Sequence, residues 1–483
     1  MNKSTPFFPH PSKWLFGRPP RSTRARLQAE AQRIHQASLG SLHKLFEPFI
    51  PEDLLDPTES GTESRDRTFS RRTTFWTFLT QVLSLSGSCR LALRKLQGWQ
   101  SANHLEVTDS NTSGYCQARG RLDLENLMEI HHQVARKVRS KNIRTEHEFG
   151  RPVKIVDGTT CSMPDTLKNQ AQWPQSKAQQ PGCGFPFVKL VGIFTLAEGV
   201  LTAWAEGNKH QHEMVLFRKL WDGLVSGDIL LGDAAFGSFA AIASLLKRGV
   251  DSVMHTHQAR HVDFRKGKSL GKKDHLIDWI KPTVRSKGWS RKDWKALPDT
   301  LTVREVLIRV EVPGFRVEKY VLVTTLTDPV RWPASTLGRM YFKRWTVEVF
   351  FRDMKIAMGM DVLRCKSPEM VRKEIVIQAI AYNCIRGVMQ HVSIVYETPV
   401  ERISFTGTCD TIRQWGDAIA LHLDKPRRLD EVIDDLYRAI ADDPLPDRPG
   451  RSEPRVKKRR PKGYQLMTKP RREMHVSASR KNK

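Results

Sequence analysis

The sequence predicts an α/β protein with a mixed sheet, preceded by helices and followed by a basic tail. Three observations carry this. Short β-branched runs come first as a group: VKIVD (153–157), FVKLVGIFTL (187–196) and GVLTAWAEG (199–207). Strands then alternate with helices, as HEMVLFRKLWDGLV (212–225), DILLGD (228–233), a helical stretch from Phe236 to Gly249, and VDSVMHT (250–256). Before them, apolar residues recur at helical spacing. With 483 residues, 39% of them apolar and 8% aromatic, the chain is long enough for roughly three domains and a sizeable core.

Taken in order, residues 1–67 read as a Pro- and Arg-rich arm, a helix through ARLQAEAQRIHQASLGSLHKLFEPFI, and a polar linker from Pro51. Residues 68–146 read as a helical module, from the spacing of Phe75, Phe78, Leu79, Val82 and Leu83 and then Leu122, Leu124, Leu127 and Ile130. A DNA-binding head and a structural bundle both fit it. Residues 147–400 form the α/β core, interrupted at 258–318 by a basic, β-rich insertion that carries Trp279, Trp289 and Trp294. LTVREVLIRVEV (301–312) and EKYVLVTTL (318–326) return to strand patterning, and a long helix is expected from about Pro333 to Met358. PEMVRKEIVIQAIAYNCIRGVMQHV (368–392) is apolar enough for a mostly buried helix. Residues 401–483 end in a tail with fourteen Lys and Arg against two Glu from Arg448 onward. That tail reads as extended and solvated.

Lys and Arg number 79 against 52 Asp and Glu, a net charge of +27, so a polyanion is the natural partner, nucleic acid before an anionic membrane. No run of about 18 uncharged apolar residues exists to span a bilayer. The first residues lack the continuous apolar region of a secretory signal. Seven cysteines without a C-x-x-C pair argue against a zinc ribbon or a disulfide framework and fit a reducing cytosol.

Two acids stand out by position. Asp157 and Asp233 each close a predicted strand, where α/β sheets place their ligands. The helix YFKRWTVEVFFRDMK (341–355) adds a third. At about 100° per residue, Tyr341, Arg344, Glu348 and Lys355 fall within a wedge of about 60°, and bulky apolar residues take most of the remaining circumference. A Glu between cations on an otherwise buried helix fits a site that holds a metal and a phosphate together. Three carboxylates can hold two Mg²⁺ ions, which prefer oxygen donors. Arg344 and Lys355 cannot ligate metal but can neutralise phosphate oxygens.

These residues resemble the DDE-type transposases of the insertion sequence 4 family. The likeness rests on VDGTTCSMPDT around Asp157, GDILLGDAAF around Asp233, and the pattern Y-x2-R-x3-E-x6-K at Tyr341, Arg344, Glu348 and Lys355. NQAQWPQ, PGCGFP, LRCKSPEMVRKE, AYNCIR and GRSEPRVKKRRPKGY extend it over residues 70–472. The resemblance implies an RNase H-like core, with Asp157, Asp233 and Glu348 as catalytic, metal-binding triad and Tyr341, Arg344 and Lys355 as DNA contacts. It implies two Mg²⁺ ions, with Mn²⁺ as a substitute. The partners are double-stranded DNA, as inverted element ends and target, and a second copy of the chain on paired ends. The expected location is the cytoplasm, on the nucleoid of a bacterial host. Metal-dependent end cleavage and strand transfer by cut-and-paste follow, with the insertion shaping the cut end and accounting for the 115-residue gap between Asp233 and Glu348. One departure is Ala234, where many members carry Arg.

Rival readings share parts of this pattern. A nuclease that cuts without joining has the same triad. A non-catalytic DNA-binding relic would keep the surface alone. A recombinase using Tyr341 as covalent nucleophile would need no acids. His210 with His212, and His255 with His257 and His261, have metal-like spacing but read more readily as loop or DNA-facing residues. Among Trp279, Trp289 and Trp294, core packing is the default for each, and stacking of one on an extruded base is the functional alternative.

Overall fold

The computed structural model describes residues 41–56, 69–84, 86–102, 105–140, 148–286, 288–310, 318–423, 425–446, 467–470 and 473. The predicted helix before Ser41, most of the linker and nearly all of the basic tail lie outside these. After a short helix at Ser41–Phe46, helices α1 (Arg71–Leu83), α2 (Cys89–Ala102), α3 (Thr112–Arg121) and α4 (Leu124–Ser140) precede the sheet. Ser70 caps α1 through Thr73 N–H, and Asn111 caps α3 through Ser113 N–H.

The strands are β1 (Val153–Ser162), β2 (Phe187–Thr195), β3 (Leu201–Gly207), β4 (Ile229–Gly232) and β5 (Asp251–His255), with α5 (Glu213–Arg218) and α6 (Phe239–Lys247) between β3 and β5. The sheet continues through β6 (Lys268–Gly271), β7 (Asp274–Ile280), β8 (Thr300–Val310) and β9 (Glu318–Thr324). Their order is β3-β2-β1-β4-β5-β9-β8-β7-β6. β1, β2 and β3 pair antiparallel, while β1–β4 and β4–β5 pair parallel. This mixed five-stranded half is an RNase H-like core. The remaining strands form an antiparallel meander that joins it through β5–β9, so the β-rich stretch prolongs the sheet itself.

Side-chain alternation separates two apolar layers. Ile155, Phe194, Leu231, Val253 and Leu322 face one. Their neighbours Val156, Ile193, Leu230, Met254 and Val323 face the other. Strand β4 is buried at all four positions, as a central parallel strand covered on both faces should be. The second layer is closed by α5, α6 and all three tryptophans of the meander region. The first is closed by α1 and α4 and by the helices that follow the sheet: α7 (Ala334–Phe342), α8 (Thr346–Arg352), α9 (Pro368–Val395), α10 (Phe405–Ala420) and α11 (Pro426–Ala441).

The expected single helix from Pro333 to Met358 is broken. A 3₁₀ turn (Lys343–Trp345) separates α7 from α8, and a π turn (Asp353–Ala357) follows α8. Such irregular turns re-aim side chains that a uniform helix would spread. Nor is the segment buried nearly all round: Phe342, Trp345, Val349 and Ile356 are exposed.

Helix α9 spans 28 residues, about 42 Å, and grips the β2–β3 turn. Tyr382 Oη donates to Gly199 O, Arg386 Nε to Glu198 O, and Asn383 both accepts from Leu201 N and donates to Leu201 O. Gly199 has φ of +68°, and a Cβ there would strike the Arg386 guanidinium at 2.4 Å.

His131 of α4 is fully buried, edge-on to Trp204 and bonded to Leu201 O. Burial first, and His132 second, push its pKa down to about 3. The unfolded chain therefore takes up a proton below pH about 6.5 that the folded chain refuses, so stability falls as pH drops. Urea midpoints should show a loss of about 2 kcal/mol from this group between pH 7 and 5, and His131→Phe should flatten that part of the curve.

Candidate active site

The strand register assembles the first two acids. Val153 pairs with Ile229, Lys154 with Leu230 and Ile155 with Leu231. Both acids lie just past the last β1–β4 pair, at the same end of neighbouring strands, and Asp157 feels the charge of Asp233. Asp233 follows the last residue of β4, as expected. Asp157 does not end its strand: β1 runs on to Ser162, paired with β2 alone once β4 has turned away. Asp157 Oδ1 accepts from Gly158 N at 2.7 Å, and Asp233 Oδ1 from Ala235 N at 2.8 Å.

Glu348 arrives from α8, whose Val347, Phe350 and Phe351 are buried against the sheet. Phe350 and Phe351 meet Phe194 with ring centroids 5.5 and 5.0 Å apart. Gly192, opposite Asp157 on β2, makes the approach feasible, since a Cβ there would lie 3.3 Å from the Phe351 ring. Asp157, Glu348, Arg352, Lys355 and Asp361 line one open cavity of about 350 Å³.

Arg344 is buried among these acids, with its guanidinium over the Tyr341 and Trp345 rings. Its buried Nε lacks a hydrogen-bond partner. Burial pushes the Asp157 carboxyl up to about 6, the Gly158 N–H and Arg344 oppose this, and Asp233 and Glu348 reinforce it. The Tyr341 hydroxyl is likewise pushed up to about 12 by burial. Asp157, Asp233, Glu348, Tyr341 and Arg344 therefore share one electrostatic neighbourhood. Lys355 lies in the same cavity, 3.1 Å from Asp361.

Sequence reasoning missed two neighbours. Gly232 pairs with Met254, so the next residues, Asp233 and His255, are level on adjacent strands. Burial and Arg344 lower the pKa of His255, while Asp233 raises it. The signal was present: DILLGD and VDSVMH reach Asp233 and His255 after the same number of residues. Asp361 gave no comparable signal, because only a turn in the chain brings it back. His212 caps α5 through Met214 N–H. Trp279, Trp289 and Trp294 are packed in the second apolar layer, with Arg260 3.6 Å above Trp279 and Arg218 4.1 Å above Trp289.

Among the described residues, no three His, Cys, Asp or Glu side chains are drawn together as a formed metal cage. The donor chemistry of Asp157, Asp233 and Glu348 nonetheless fits a hard divalent cation: all are carboxylates, and their mutual repulsion is what such an ion relieves.

The family model described as the transposase DDE domain matches residues 148–384, a stretch that contains all six candidate positions. Transposase InsG for insertion sequence element IS4, from Escherichia coli strain K12, is 28% identical over 433 residues, covering 85% of this chain and 92% of that protein. The chain thus carries a transposase DDE domain and is similar over most of its length to an insertion sequence 4 transposase. The transposase also overlays on a piggyBac transposase synaptic complex with hairpin DNA, at a TM-score of 0.39 and 11% identity over 86% of this chain and 85% of that one. The enzyme cleaves DNA and transfers strands, and DDE domains of this kind generally work with divalent metal ions. Among the described residues, no helix is long and apolar enough to cross a membrane.

The transposase holds Asp157 ionised at a cost above pH 6, a cost absent once both folded and unfolded forms are protonated below about pH 4. In EDTA at pH 7, Asp157→Asn should therefore stabilise the protein by on the order of 2 kcal/mol, read as a higher melting midpoint. The gap should close as the pH is lowered from 6 to 4.

Proposed function

We propose that Asp157, Asp233 and Glu348 are the catalytic triad of a cut-and-paste transposase and hold two Mg²⁺ ions, with Mn²⁺ as a substitute. The observation that carries this is that Asp157, just past the end of the β1–β4 ladder, feels the charges of both Asp233 and Glu348 and shares a cavity with Glu348. When bound, such ions activate an attacking oxygen and stabilise a leaving one.

The chain's own groups supply the rest. Arg344 offsets the carboxylates and, with Tyr341, meets the phosphate at the element end. Lys355 meets a phosphate further along the cavity. These contacts align the scissile bond for in-line displacement, where small misplacements are costly. Water attacks the terminal phosphodiester and leaves a 3′-hydroxyl. That hydroxyl then displaces a second phosphodiester, one bond forming as one breaks, on the opposite strand for a hairpin or on the target for insertion. No external energy source is required. The working form is a dimer on two paired ends, and the setting is the nucleoid in a bacterial cytoplasm.

DNA from the two flanks of the gene, incubated with full-length protein and Mg²⁺ or Mn²⁺, should be nicked at both ends and then joined. EDTA and Glu348→Gln should each abolish cutting, by at least 10³-fold for the variant. Cleavage without joined products would make the enzyme a nuclease. Binding without cutting would make it a relic, and an EDTA-resistant covalent adduct would put Tyr341 in charge.

A further inference from the structure

Lys355 faces a problem of its own. It stands seven residues, two helical turns, after Glu348 and lines the same cavity as Asp157 and Glu348. A flexible ammonium beside exposed carboxylates is drawn onto them. There it would occupy the place of a divalent cation and be lost to DNA.

The structure shows what restrains it. After the π turn the chain reverses at Gly359, whose φ is +75°, and Asp361 N–H donates back to Lys355 O at 3.3 Å. Asp361 O in turn accepts from Ser162 N at 3.0 Å and from Ser162 Oγ at 3.1 Å, so the turn is fastened to the end of β1, the strand that carries Asp157. Leu363 N closes the join by donating to Ser162 O at 2.8 Å. The Asp361 carboxylate is thereby presented to Lys355, with Oδ1 3.1 Å from Nζ, at the same cavity.

We propose that Asp361 is a positioning residue: it holds the Lys355 ammonium off Asp157 and Glu348, keeping those carboxylates free for the cation and the ammonium free for phosphate. This rests on the triad reading above. The pair is partly solvated, with side-chain exposures of 25% for Lys355 and 53% for Asp361, so an arriving phosphate can displace Asp361 at little cost. Asp361 acts through Lys355 and does not itself touch the reacting atoms.

The test is a thermal-shift titration with Mn²⁺ on full-length protein, in the presence of a duplex taken from the gene's flank. Asp361→Asn should need roughly three- to tenfold more Mn²⁺ for half-maximal stabilisation, because Lys355 now competes. Lys355→Met combined with Asp361→Asn should return the midpoint to the wild-type value, and Asp361→Glu should rescue it in part. The cleavage rate of Asp361→Asn at saturating Mn²⁺ should fall about tenfold, since Lys355 is no longer held in place. An unchanged Mn²⁺ midpoint in Asp361→Asn overturns the proposal. A raised midpoint that persists in the double variant also overturns it, because Asp361 would then be a ligand. Glu348→Gln separates the two readings. If it loses the Mn²⁺ response while Asp361→Asn keeps the wild-type midpoint, only this proposal fails. If neither wild type nor Glu348→Gln responds to Mn²⁺, the triad reading fails and this one with it.

Discussion

Two carboxylates held at the same end of neighbouring parallel strands, with a third brought down from a helix, form a repulsive arrangement that the rest of the molecule must enforce. The β1–β4 ladder brings the ends of the two strands together just before the first two. Arg344 is the protein's internal counterweight, buried at the place where negative charge accumulates. Burial nonetheless holds Asp157 above the usual carboxylate range, with Asp233 and Glu348 adding to it.

Enforcement extends outward through the helices. Phe350 and Phe351 seat α8 over β1 through Phe194, and the missing side chain at Gly192 lets the helix come close enough. Tyr382, Asn383 and Arg386 then tie α9 to the β2–β3 turn by backbone groups. Asn383 supplies an amide where an edge strand has none to pair with, and His131 stands beside it as a neutral partner. The polar residues of AYNCIR thus hold the fold together on the layer that carries Glu348.

How much of this was legible follows from the range of each interaction. Short β-branched runs are local, so the strands that carry Asp157 and Asp233 could be read directly, although β1 runs on past Asp157 to Ser162. The spacing of Tyr341, Arg344, Glu348 and Lys355 also survived, although the uniform helix used to group them is in fact three kinds of turn. Hydrogen-bonding in the turns at Lys343 and Asp353 depends on what the helix packs against, and no residue there announces it. The exposed Phe342, Trp345 and Val349 were misread for the same reason: bulky apolar residues were taken as buried, but one face of the segment is uncovered. His255 was visible as part of a histidine cluster, but its place beside Asp233 needed the β4–β5 register. Asp361 needed the turn at Gly359 and the join to Ser162, both of them contacts between residues distant in the chain.

The β5–β9 pairing gives the β-rich stretch a role that its sequence did not suggest. Because β9 hydrogen-bonds to β5 and also continues into β8, this stretch is not an appendage that can be trimmed to leave a smaller catalytic unit. Cutting it out would uncover the edge of β5 one strand from Asp233, and an open edge beside a charged cleft invites pairing with another chain. The catalytic half of the sheet depends on the meander to close it, so the two must have been shaped together.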